Sequence, residues 1–107
     1  MKSLRSEMEL DEALAAERAF LFKHSTRCGA SSRAYRQVCS YEEADGSIPV
    51  FLIDVIAERT LARSIADRLG IRHQSPQIIL LADGQPVWHA SHGSVTAEIL
   101  TEKAGAL

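Results

Sequence analysis

Short unbroken apolar runs alternate here with segments whose apolar residues recur every three to four positions, and this switching constrains the fold most. Ala19-Phe20-Leu21-Phe22, Val50-Phe51-Leu52-Ile53 and Gln77-Ile78-Ile79-Leu80-Leu81 have the length and composition of buried strands. The first is expected to stop at Lys23-His24-Ser25 and the second at Asp54. Between them, Ala34, Val38 and Tyr41 form one helical stripe, while Arg33, Arg36 and Gln37 face elsewhere. Ala44-Asp45-Gly46-Ser47 breaks that helix. Leu61, Ile65 and Leu69 mark a further helix, with Gly70 fitted to its C-terminal cap. An earlier stripe of Leu10, Ala13 and Leu14 predicts a helix with Asp11 and Glu12 in its first turn. Asp83-Gly84, between the third apolar run and Pro86-Val87-Trp88-His89-Ala90, signals a hairpin. A last helix opens near Ser94 or Thr96. The order is α-β-α-β-α-β-β-α, a single α/β domain over residues 1–107. Its segment from Phe20 to Ile53 reads as a right-handed parallel crossover. Periodicity leaves open how the hairpin pairs with that unit.

Composition narrows the function classes. Twelve Lys+Arg against fourteen Asp+Glu give a net charge of −2, which supplies no basic field for a nucleic acid or an anionic membrane. The longest apolar run, Ile78 to Ala82, is far short of the roughly 20 residues of a membrane span. Met1-Lys2-Ser3-Leu4-Arg5-Ser6-Glu7 lacks the apolar segment of a signal peptide. The expectation is a cytoplasmic domain whose two cysteines rest as thiols.

Those cysteines differ. Cys28 falls where a helix leaves the carboxyl end of a strand, the place where α/β sheets tend to put ligands. The helix dipole and unpaired N–H groups there favour a thiolate, and Arg27 and Arg33 add positive charge. The thiolate is the species that attacks disulfides. Ser31 stands three residues on, where a Cys-x-x-Cys motif would carry its second thiol, and its hydroxyl can donate to the sulfur. Cys39 is eleven residues further along the same helix, about 16 Å at 1.5 Å per residue, beyond disulfide reach and read as packing. Pro76 opens a strand, where it needs no ladder donor. A cis Ser75-Pro76 bond, presenting the Ser75 backbone beside Cys28, is an uncommon state on sequence grounds alone. His24, His73, His89 and His92 show no ligand spacing of a metal site, so no metal is expected. His24 and His73 are read as polar residues at the active end of the sheet, where an imidazole can tune a thiol.

Phe22-Lys23-His24-Ser25-Thr26-Arg27-Cys28 with Ser31-Ser32-Arg33-Ala34-Tyr35, then Ser75-Pro76-Gln77, then Val87-Trp88-His89-Ala90-Ser91-His92 with Val95-Thr96, form three blocks in order. Together they resemble the YtxJ-like family, the monothiol bacilliredoxins of the bacillithiol system, within the thioredoxin-like superfamily. The resemblance spans about Leu10 to Glu102. It implies a thioredoxin-like fold, a central four-stranded mixed sheet flanked by helices, with the closing hairpin antiparallel to the first strand. It puts Cys28 in the place of the nucleophile, Ser31 in that of the missing resolving cysteine, and Pro76 in that of the cis-proline. Arg27, Gly29, Ala30 and Ser75, with Pro76, are then the expected substrate-binding positions. The implied activity is removal of bacillithiol or a similar low-molecular-weight thiol from protein mixed disulfides. Its partners are thiolated client proteins, with the small thiol as co-substrate and no tightly bound cofactor. Two positions depart from the family: Gly29 stands where proline is common after the cysteine, and Gly93 where a bulky residue follows the Ser-His pair. Two alternatives compete. Cys28-Gly29-Ala30-Ser31 after His24 also resembles the loop of glutaredoxin-linked arsenate reductases, and a non-catalytic stress or redox-sensing module would use Cys28 only as a sensor.

Overall fold

A computed structural model describes residues 1–27 and 29–106; Cys28 and Leu107 lie outside the described residues. The strand at the centre of the sheet, β2 (Arg18–His24), explains the unbroken apolar run, because helices cover both of its faces. In chain order β1 (Lys2–Ser3), α1 (Glu7–Ala15), β2, α2 (Gly29–Ala44), β3 (Val50–Asp54), α3 (Arg59–Leu69), β4 (Gln77–Ala82), β5 (Gln85–Ser91), a 3-10 turn (His92–Ser94) and α4 (Ala97–Gly105) build a sheet of order β1-β3-β2-β4-β5. The β1, β3 and β2 strands are parallel, β4 runs antiparallel to β2, and β5 antiparallel to β4. The hairpin question is thereby closed as the resemblance implied.

Side-chain alternation divides β2 between two cores. Phe20 and Phe22 pack with Ala34, Val38 and Tyr41 of α2 and Leu100 and Ala104 of α4. Leu21 faces the other way, with Leu10 and Ala13 of α1 and Leu61, Ala62 and Ile65 of α3. Tyr41 also carries a polar duty: its hydroxyl accepts from the buried Ile48 N–H at 3.0 Å.

The sheet has five strands rather than four. Two residues, Lys2 and Ser3, pair in parallel with Phe51 and Leu52, and the Leu4 N–H continues the ladder to the Leu52 carbonyl at 2.8 Å. So short an edge strand carries no alternation to read. Helix α1 starts earlier than expected: the Ser6 side chain accepts from the Glu9 N–H at 3.1 Å, so Glu7 and Glu9, not Asp11 and Glu12, occupy the first turn. Thr96 rather than Ser94 caps α4, accepting from the Ile99 N–H at 3.2 Å. Asp83 and Gly84 both have positive φ, as a two-residue hairpin turn of this hand requires, and Gly70 adopts the left-handed cap conformation. The remaining difference matters for the site: β2 does not end before Lys23 but carries it, fully buried, into the sheet.

Candidate active site

The carboxyl end of β2 delivers the chain into a short loop that is fixed at several points. The His24 carbonyl accepts from the Val55 N–H at 2.9 Å, tying this end to the segment after β3. Within the loop, the Ser25 N–H donates to Ser31 Oγ at 3.2 Å, and the Arg27 N–H to Ser25 Oγ at 3.3 Å. Ser31 is fully buried in the first turns of α2, so its oxygen braces the loop from inside the helix. An Oγ that accepts one bond still holds its hydroxyl proton for another acceptor. Cys28, the expected nucleophile, lies outside the described residues; its neighbours Arg27 and Gly29 are both exposed at this corner.

Antiparallel pairing brings the start of β4 to the same end of the sheet, with Gln77 opposite Lys23. The Ser75-Pro76 bond just before it is cis, the state that sequence alone disfavoured. Pro76 is buried, and its carbonyl accepts from the His92 N–H at 3.0 Å. Ser75 Oγ is buried and has no hydrogen-bond partner among the described residues. His92, Gly93, Ala30 and Arg33 line a cavity of about 160 Å³ between this turn and α2. Of the expected substrate-binding positions, Arg27 borders a different and larger cavity, of about 550 Å³, with Arg59, Arg63 and His73. A Cβ built on Gly29 meets nothing within 4 Å, so space alone does not demand glycine there.

Two histidines and a lysine set the electrostatics. The His24 ring meets those of Phe22 and Tyr35 in tilted contacts, with centroids 5.7 and 5.1 Å away. Burial lowers its pKa, against the opposing pull of Asp54 and the Ser31 backbone. Lys23 points to the opposite face of the sheet, fully buried, with Nζ 3.1 Å from His73 Nδ1. Desolvation lowers this ammonium from 10.5 to about 8. His73 is lowered in turn, first by its own burial and then by the charges of Lys23 and Arg63. A neutral imidazole that accepts at Nδ1 carries its proton on Nε2.

Lys23, Arg59 and Arg63 were not among the expected site residues. The signal for Lys23 was available, because it shares a strand face with Leu21 and follows an unbroken apolar run. Cys39 is half-buried on α2, outside the Ala34, Val38 and Tyr41 face, and unpaired among the described residues. It sits by Tyr35, whose hydroxyl it pushes toward a higher pKa. Among the described residues no group of three or more His, Cys, Asp or Glu side chains is placed to hold a metal. Among the described residues no helix is long and apolar enough to cross a membrane.

These features define a thioredoxin fold in which the β2–α2 loop and the cis Ser75-Pro76 turn lie at the same end of the sheet. Solved structures agree on the fold. The chain matches a candidate oxidoreductase with a thioredoxin fold at 26% identity and a TM-score of 0.89, covering 96% of this chain and 92% of that one. It matches a mutant thioredoxin from Halobacterium salinarum at 22% identity and a TM-score of 0.78, with 98% and 88% covered. Oxidised thioredoxin from Plasmodium falciparum matches at 16% identity and a TM-score of 0.78, with 97% of each chain covered. The family model for monothiol bacilliredoxin BrxC matches residues 2–100. The chain belongs to that family, and its function is accordingly in thiol redox chemistry.

Proposed function

We propose that the protein is a monothiol thiol–disulfide oxidoreductase that removes bacillithiol, or a similar small thiol, from protein mixed disulfides. The thiolate of Cys28 attacks the small thiol's sulfur; a Cys28–small-thiol disulfide forms as the bond to the client breaks, and the client sulfur leaves as a thiolate. A second small-thiol thiolate then attacks the adduct, restoring Cys28 and releasing the small thiol as its symmetric disulfide. No electrons are gained or lost beyond these exchanges.

The observation that carries the monothiol cycle is Ser31. It occupies the position of a resolving thiol, is fully buried, and accepts the Ser25 N–H. Cys39 lies ten residues beyond Gly29 on the same helix, about 15 Å along its axis, too far to resolve an adduct made at the helix start. Arg27, Gly29, Ala30, Ser75 and Pro76 are the positions that would meet the mixed disulfide, and a reducing cytoplasm is the compartment that suits a resting thiol.

The test uses a client protein carrying a bacillithiol mixed disulfide. Wild type and Cys39→Ser should release the client thiol at similar rates, and Cys28→Ser should release none above the spontaneous rate. Equal release by wild type and Cys28→Ser refutes the reading.

A further inference from the structure

The cavity of about 550 Å³ beside Arg27 has an unusual lining. Arg27, Arg59, Arg63 and His73 border it over an apolar floor that includes Val55 and Ile56, and no carboxylate lines it. None of the three guanidinium groups is in an ion pair among the described residues. Arg59 and Arg63 stand four apart on α3, so their side chains share one helix face. Behind His73 lies the buried Lys23 ammonium, 3.1 Å from Nδ1, which leaves Nε2 as the donor of that ring. Arg63 and His73 also border an adjoining cavity with Arg72 and one acid, Asp67.

Charges of one sign gathered in a concave site focus the field and hold an anion there. Guanidinium forks match carboxylates in a bidentate way. The volume falls within the range of small-molecule sites, roughly 300–1,000 Å³. We propose that this cavity is the carboxylate-binding subsite for the small thiol, so that the thiol delivered to Cys28 carries at least two carboxylates. This deepens the thiol-exchange reading and rests on it. Bacillithiol, whose malyl group bears two carboxylates, satisfies the requirement; cysteamine, which bears a cation and no acid, does not.

The experiment loads one client protein with either bacillithiol or cysteamine as the mixed disulfide. Client thiol release is measured in single turnovers with an excess of reduced wild-type protein or of Arg59→Gln/Arg63→Gln. Both arginines are exposed, and the urea midpoint checks that the variant is folded. Losing charge-assisted bonds of this kind should slow release from the bacillithiol conjugate about tenfold or more. Release from the cysteamine conjugate should change less than about twofold on the same reasoning. An unchanged rate on the bacillithiol conjugate overturns the proposal. An equal loss on both conjugates also overturns it, because the cavity would then hold an acidic client surface. A second readout needs no turnover: free malate should shift the His73 imidazole resonances of wild type and not those of the double variant. No shift in wild type refutes the subsite even if exchange proceeds. A shift without any Cys28-dependent exchange leaves the subsite standing and the enzymatic reading refuted.

Discussion

Replacing Lys23 by Met removes the one fully buried charged group from the sheet while keeping a side chain of similar length. In the folded protein this ammonium titrates at about 8 against 10.5 for the free group. A drop from 10.5 to about 8 corresponds to about 3 kcal/mol of destabilisation. The sign follows from proton counting. Below pH 8 both folded and unfolded Lys23 are protonated, and the folded state bears the whole desolvation cost. Between about 8 and 10.5 the unfolded state binds more protons, so stability rises with pH and the cost is relieved. Lys23→Met has no such proton to lose. It should be more stable than wild type at pH 7, and the gap should narrow by about 2 kcal/mol by pH 9.5. Urea unfolding of both proteins at the two pH values measures this, and subtracting one protein from the other cancels the titrating groups that the Lys23 charge does not reach. A gap constant within about half a kcal/mol would show that the ammonium is not desolvated, and the reasoning would fail.

Two smaller perturbations test other parts of the architecture. Tyr41→Phe strands the buried Ile48 N–H, which now donates to the hydroxyl at 3.0 Å, and should cost about 1–3 kcal/mol in chemical denaturation; a loss below half of one would refute the assigned bond. His24 is held neutral by burial, so its contribution to stability is complete above about 6.5 and is lost as the pH falls through its lower folded pKa. His24→Phe, which keeps a ring beside Tyr35, should flatten that acid limb relative to wild type; an unchanged limb in thermal melts would place the dependence elsewhere, with His73 the next candidate.

The legible parts of this fold are those in which one local rule acted alone. Val38 and Tyr41 report their helix face, and Gly70 and Asp83-Gly84 report backbone conformations few other residues adopt. Lys2 and Ser3 form a strand only because Phe51 and Leu52 offer an open edge, which is tertiary information. Ser6 caps α1 one turn before the apolar stripe begins, so the stripe misplaces the boundary. The site divides in the same way. Position and family resemblance point to Ser31 and Pro76, and the structure buries Ser31 in α2 and makes the Ser75-Pro76 bond cis. Lys23 escapes a reading that takes a charge as the end of a strand, whereas period-2 alternation keeps it on the Leu21 face.

Net charge is silent on placement for a related reason. A total of −2 argues against a polyanion partner but says nothing about where the charges lie. Folding sends Glu7 and Asp11 of α1 to Arg68, leaving Arg59 and Arg63, on the same helix, without an ion pair among the described residues. The chain leaving β3 then places α3 beside the β2 loop and sets those arginines next to Arg27, His73 and, behind it, Lys23. An acidic protein thus acquires a cationic cavity too small for a nucleic acid and sized for a small anion. A lysine buried without a carboxylate breaks the rule that interior charges are paired, and such breaks are expected where a site needs the charge. Met at position 23 should therefore separate the two demands on this residue: a gain in stability at pH 7 together with weaker malate binding. If stability rises and malate binding is unchanged, the buried ammonium serves packing alone and the field belongs to the arginines.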